Sequence, residues 1–380
     1  MKSSIIAMMA IAGILSVTGG VVYLDSASDT AHAAMRSPTQ FTSTIGQSQV
    51  EFPTALAHLP TEPVGIGIFN SNVVFPQFSM DGKSTIAIYN TGTKTVNEYS
   101  VPTTVQNQFA YATASDAKNG TFWIGTKADL VEFNVLTHTV HTYTLPEVQY
   151  PYSTPRDHGA SNILGLAIDS NGSIWMTRDH DSGVTVFDPK AGEFKQYGLP
   201  SGVVPKNIVI LGNGNLAMNI WHSVNPQYMS DAGNLDTGVL IFNANVGRTK
   251  FVSGFAPTIL DNNGRLLVPE GSRLIQIDPQ SGVQSQQVQA PFSINPQIAA
   301  APDGTTWWTT NGTILHVTNH EKVIYQIPKR VSNPSVPLTK GTPQPSSQPL
   351  NPDVSNITVA PDGTAWFVAS GFNAIGYVKP

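Results

Sequence analysis

The chain has 380 residues, a net charge of -5 and only 12% charged side chains, against about 25% in an ordinary soluble protein. No basic run is present, so the electrostatic footprint of a nucleic-acid binder is missing. With no cysteine there is no disulfide framework, no thiol redox chemistry and no lipidated-cysteine anchor.

The first predicted element is an export signal. Lys2 precedes an apolar run from Ile5 to Leu24, and Ala31-His32-Ala33 fits a small-x-small cleavage site. Residues 1–33 are therefore expected to be a signal peptide and the protein to be secreted. The run is long enough to cross a bilayer, so without cleavage it acts as an anchor. Residues 34–380 are expected to form one domain, starting with a lone strand from Gln47 to Pro53 (QSQVEFP).

A phrase then recurs: a hydrophobic strand, an Asp/Asn-Gly turn, a second strand bearing Trp, a third ending in Asn or Asp, another turn, and a strand closing on Leu-Pro or Val-Pro. Its clearest copy runs from Asn162 to Pro200. The first turn recurs as Asn119-Gly120, Asn171-Gly172, Asn213-Gly214, Asn263-Gly264, Asp303-Gly304 and Asp362-Gly363, dipeptides that tolerate the positive φ of tight hairpins. Four-strand units of roughly 40 residues are the sequence form of β-propeller blades, each a small sheet that buries both faces against its neighbours. The predicted fold is all-β, a seven-bladed β-propeller. Because the last copy, Asn356 to Pro380, stops after three strands, the Gln47 to Pro53 strand is expected to pair with it and close the ring.

Trp123, Trp175, Trp307 and Trp366 fall at one register on the second strands and read as packing between sheets. Trp221 stands outside that register, beside His222 in an insertion, and is a candidate ligand contact. Three insertions, Glu147 to Ser161, His222 to Asp236 and Lys329 to Ser355, are expected on the face where loops lead into the innermost strands. Loops elaborated on one face of a rigid scaffold are where function usually sits. Arg156, Asp157, His158, Arg178, Asp179, His180, Trp221, His222 and Glu270 belong to that face of the third to fifth blades. The remaining histidines, His138, His141, His316 and His320, are expected on solvated outer surface.

The segments Leu166 to Pro189, Ile298 to Thr310 and Ile357 to Val378 resemble the blade repeat of the streptogramin lyases, the virginiamycin B lyase family. Gly120 to Asn134 equally resembles the sensor propellers of two-component regulators. The lyase resemblance implies a Mg²⁺-assisted elimination that opens the ester of a cyclic depsipeptide. Carboxylates would hold the metal and histidine would carry the protons. In the places of the family's His stand Leu164, Lys206, Pro296 and Ser355, and in those of its Glu stand Arg178, Asn311 and Ala369; Glu270 keeps the carboxylate place.

The expected site therefore has His222, His180 and His158 as proton carriers, Glu270 and Asp179 as ligands of Mg²⁺ or Ca²⁺, and Trp221, Arg156 and Arg178 as ligand contacts. Glu270, Asn219 and Asp179 are the alternative set for a calcium-dependent lactonase. Two functions are expected in order: a secreted monomer binding a small molecule or an extracellular protein at the central channel, with residual lyase activity, and a divalent-metal-dependent lyase.

Overall fold

The computed structural model describes residues 42–45, 50–57, 59, 63–78, 84–102, 112–149, 162–200, 203–223, 235–253, 259–260, 264–270, 273–279, 284–289, 297–310, 312–318, 321–328 and 354–380. Among them lie seven sheets. Five are four-stranded meanders in sequence order, the sixth has a fifth strand added, and the last has three strands. The inner strand of each sheet lies beside that of the next, and the inner strand of the seventh beside that of the first. This is a seven-bladed propeller. No helix among the described residues is long and apolar enough to cross a membrane.

The burial pattern follows from the architecture. Second strands are sandwiched between two neighbouring blades, so Thr121–Gly125, Ile174–Arg178 and Ala365–Ala369 are buried at every residue. Outer strands meet solvent on one edge, and Thr95–Ser100 and Glu193–Gly198 alternate between exposed and half-buried residues. Trp123, Trp175, Trp307 and Trp366 are all buried, as expected of packing residues. Gly120, Gly172, Gly214, Gly264, Gly304 and Gly363 all have positive φ, as their turns demand. In the first blade that turn is Asn70-Ser71, with Asn70 at φ 53°.

The expected pairing of the Gln47 to Pro53 strand with the last blade is seen at one bridge among its described residues. There, Glu51 exchanges both backbone hydrogen bonds with Tyr377, at 3.0 and 2.9 Å. Its carboxylate also accepts the Tyr377 hydroxyl. Val50 and Phe52 enter the core of the sixth and seventh blades, and Phe52 meets Phe367 and Phe372 edge-on. Upstream, Thr42–Ile45 pairs in parallel with the outer strand of the sixth blade, Glu321–Gln326. Nothing in the repeat foretold this fifth strand, because it belongs to no copy.

One histidine corrects the surface assignment. His316 is buried because it lies directly across from Trp307 in the strand ladder and stacks on its ring, with centroids 4.2 Å apart. Its Nε2 lies 2.9 Å from the Thr305 hydroxyl. His138 and His141 are exposed as expected, and His320 lies outside the described residues.

Candidate functional site

The third blade carries a turn, Asp179-His180-Asp181-Ser182, between its second strand Ile174–Arg178 and its third strand Gly183–Asp188. Its upstream end is fastened to the start of the inner strand. Asn162 accepts the Asp179 backbone N–H at 2.9 Å and donates its side-chain amide to Asp179 Oδ2 at 2.8 Å. The other carboxylate oxygen of Asp179 faces His180 Nε2 at 3.0 Å. Ser182 holds the downstream end, its carbonyl accepting the Leu199 N–H at 2.8 Å. Between these anchors His180 is forced into the left-handed region, φ 59°, which a residue with a Cβ adopts at a cost. The imidazole is nearly half exposed, at 45%.

Beneath the turn, charge is buried. Arg178 is 2% exposed and Asp181 1%. Burial pushes the Asp181 carboxyl up to about 6, opposed by the Arg178 guanidinium. It also holds Arg178 below its ordinary range, opposed by Asp181. Both shifts run toward the neutral forms, so desolvation outweighs the attraction within this pair. Asp129 is also fully buried, at the corresponding turn of the second blade. That turn touches the third blade through the Ile163 N–H, which donates to the Thr126 carbonyl at 3.1 Å.

The fourth blade adds Lys206 from its inner strand Val203–Ile210. Its carbonyl accepts the Thr177 hydroxyl. Burial draws its ammonium below the usual range while Asp179 opposes that shift. Gly165 permits the approach: a Cβ there would lie 2.7 Å from the Lys206 carbonyl oxygen. Thus Arg178, Asp179 and His180 are brought together as sequence placed them, and Lys206 joins them. Its signal in the sequence was its place in the repeat, where the resembled family has His.

The other expected residues divide. Trp221 and His222 do not lie in a loop: the fourth blade's second strand continues through Ser223, pairing His222 with Asp236 and Trp221 with Thr237. The expected insertion is therefore shorter, because the hairpin ladder extends into it. Glu270 ends the fifth blade's second strand, opposite Arg273. By register Glu270 corresponds to Arg178, and Thr310 rather than Asn311 holds that place in the sixth blade. The side chains of Trp221, His222 and Glu270, and all of Arg156, Asp157 and His158, lie outside what is described.

Oδ2 of Asp179 accepts from Asn162, its buried Oδ1 makes no hydrogen bond although His180 Nε2 lies 3.0 Å away, and burial-shifted Lys206 stands beside it. Among the described residues no three His, Asp or Glu gather as a metal site. Of the two expected metal ligands, Asp179 is described with its side chain and Glu270 by its backbone alone. Asn219, of the alternative lactonase set, is fully buried on the second strand of the fourth blade. A groove of about 680 Å³ lies on the opposite face, between the hairpin turns at Asp116 to Asn119 and Asp169 to Gly172. The charged turn at His180 forms no part of it.

No family model matches the chain, and no curated protein matches it. Solved structures do. A streptogramin B lyase structure superposes with a TM-score of 0.62 at 18% identity, covering 87% of this chain and 97% of that one. Virginiamycin B lyase from Staphylococcus aureus gives 0.61 at 19%, covering 87% and 98%. The extracellular domain of a protein named as a hybrid two-component system from B. thetaiotaomicron gives 0.57 at 12%, covering 87% of this chain and 39% of that one. At these identities the likeness establishes a shared propeller fold, and chemistry must be argued from the site.

Proposed function

We propose that this protein is an exported ligand-binding propeller whose ligand, a small molecule or an extracellular protein, docks on the face carrying the His180 turn. One observation carries the reading. At the position of Arg178 the other blades place Gln77, Thr126, Ile220, Thr310 and Ala369, none charged, apart from Glu270. Burying charge costs several kcal/mol, and a left-handed non-glycine residue costs of the order of 1–3 kcal/mol. Both fall on one turn of one blade. A repeat that departs from its own pattern at such a cost, at one rim, is a reason to place the ligand there. Likeness to extracellular propeller domains supports export, as does the segment 1–33.

A second reading, elimination on a cyclic depsipeptide lactone, is favoured by the His180–Asp179 contact. An imidazole oriented by a carboxylate and open to solvent on one side can hold or move a proton. Arg178 and Lys206 supply fixed positive charge beside it. This reading derives no step through a metal.

The two readings part in one experiment. A streptogramin B depsipeptide is titrated into the protein by calorimetry and then incubated with it, with and without Mg²⁺, while mass spectrometry follows the linear product. Binding without turnover, lost in His180→Ala, is expected. Turnover abolished by His180→Ala or His222→Ala overturns the binding-only reading, and turnover indifferent to both removes this rim from the chemistry. Any rise in melting temperature caused by Mg²⁺ or Ca²⁺ is expected to persist in Asp179→Asn. Its loss in that variant would place the cation at Asp179 after all.

A further inference from the structure

The groove on the hairpin-turn face is separate from the His180 rim and plays no part in the function proposed for that rim. Its walls are the inner hairpin turns of the second and third blades, and Lys190 joins them from the outer turn of the third. At about 680 Å³ it has the size of a small-molecule site and is too roomy for a lone ion.

The donors and acceptors around it are unevenly committed. Asp116 accepts the Lys118 and Asn119 backbone N–H groups on Oδ1, both at 3.1 Å, and the Asn119 side-chain amide on Oδ2 at 2.7 Å. Asp169 accepts the Asn171 and Ser173 N–H groups on Oδ1, at 2.8 and 3.0 Å, and the Trp175 indole N–H on Oδ2 at 3.0 Å. A carboxylate offers about four acceptor sites, so most of each is taken up within its own blade. Asp188 likewise accepts the Lys190 and Ala191 N–H groups, at 2.9 and 3.3 Å. These carboxylates hold the turns in shape. The cations are left over: Lys118 and Lys190 are exposed, and among the described residues neither has an ion-pair partner. Ser170 and Asn171 add an exposed hydroxyl and an exposed amide to the lining.

We propose that this groove is a second binding site, for a molecule carrying two or more phosphate or carboxylate groups that bridges Lys118 of the second blade and Lys190 of the third. Ammonium groups make charge-assisted hydrogen bonds to either kind of oxyanion, and Ser170 and Asn171 supply neutral donors beside them. The groove's own carboxylates oppose such a ligand less than their charge suggests, because their lone pairs already face N–H groups. Since the site lies on the face opposite the His180 rim, both can be filled at once, and neither depends on the other.

The mature chain is titrated by calorimetry with inorganic tripolyphosphate and, separately, with citrate, at low ionic strength and again at about 0.15 M salt. Saturable binding is expected, weaker at the higher salt, and the tighter of the two ligands identifies the oxyanion. Lys118→Gln and Lys190→Gln should each weaken it about threefold to fivefold, the range of an exposed ion pair, and the double variant should weaken it further. Lys94→Gln, at the outer turn of the first blade and outside the groove, should leave it unchanged. All three lysines are exposed, and unchanged melting temperatures without ligand confirm that the variants fold. Absence of saturable binding by either ligand overturns the proposal. So does full affinity in the double variant, or an equal loss in Lys94→Gln.

Discussion

A chain beginning at Gln47 should be markedly more stable than one beginning at Thr54. The difference removes the segment carrying Val50, Glu51 and Phe52 while leaving both forms without the parallel strand at Thr42–Ile45. Glu51 forfeits two backbone hydrogen bonds to Tyr377, worth about 0.5–1.5 kcal/mol each. Val50 is buried, and its loss removes about 1.5 kcal/mol of burial. Phe52 is only partly buried but meets Phe367 and Phe372 at 5.7 and 6.2 Å between centroids, and each such pair contributes roughly 0.5–1.5 kcal/mol. Together these reach about 5 kcal/mol. A chain of this size changes its unfolding free energy by roughly 0.7 kcal/mol per degree near the midpoint, so the shorter form should melt about 7 °C lower. Circular dichroism on the two forms measures it. Melting temperatures within a degree of each other would refute the reasoning and leave Gln47 to Pro53 a passive linker.

The pH response of His316 should be a loss of stability in acid. Its folded-state value lies below that of the free imidazole, so the unfolded chain binds more protons as pH drops through about 6.5. Stability is intact above that point and falls below it. His316→Phe keeps a ring over Trp307 and should lose less melting temperature than wild type between pH 7.5 and pH 5; an equal or larger loss counts against the assignment. Gly165→Ala should destabilise by about 1–3 kcal/mol, since the new Cβ meets the backbone of the fourth blade at Lys206 and Asn207. Denaturant unfolding that shows no change would mean the two blades separate at little cost.

Seven blades were legible because the repeat writes its turns in dipeptides whose φ is dictated locally: Asn171-Gly172 needs no tertiary knowledge. Arg178, Asp179 and His180 were legible as a group for a related reason, since a fixed position in the repeat fixes the face. What the sequence hid was relational. His316 looks like any strand histidine until the ladder sets it on Trp307. Lys206 meets Asp179 only across the gap between two blades. Thr42–Ile45 carries no mark of the outer strand it joins. The burial of Asp181 likewise has no mark in the sequence, where its two neighbours are no less polar.

The direction of the strand at Thr42–Ile45 has a practical corollary. It runs parallel to Glu321–Gln326, and outer strands climb from the hairpin-turn side of the disc toward the side that displays His180. The chain therefore comes in from underneath. Whatever is joined upstream of Thr42, whether an apolar segment, an affinity tag or a surface for immobilisation, departs on the side turned away from the His180 rim. Coupling through the N-terminus should accordingly leave that rim open to large partners, whereas a fusion threaded into the 179–182 turn would block it.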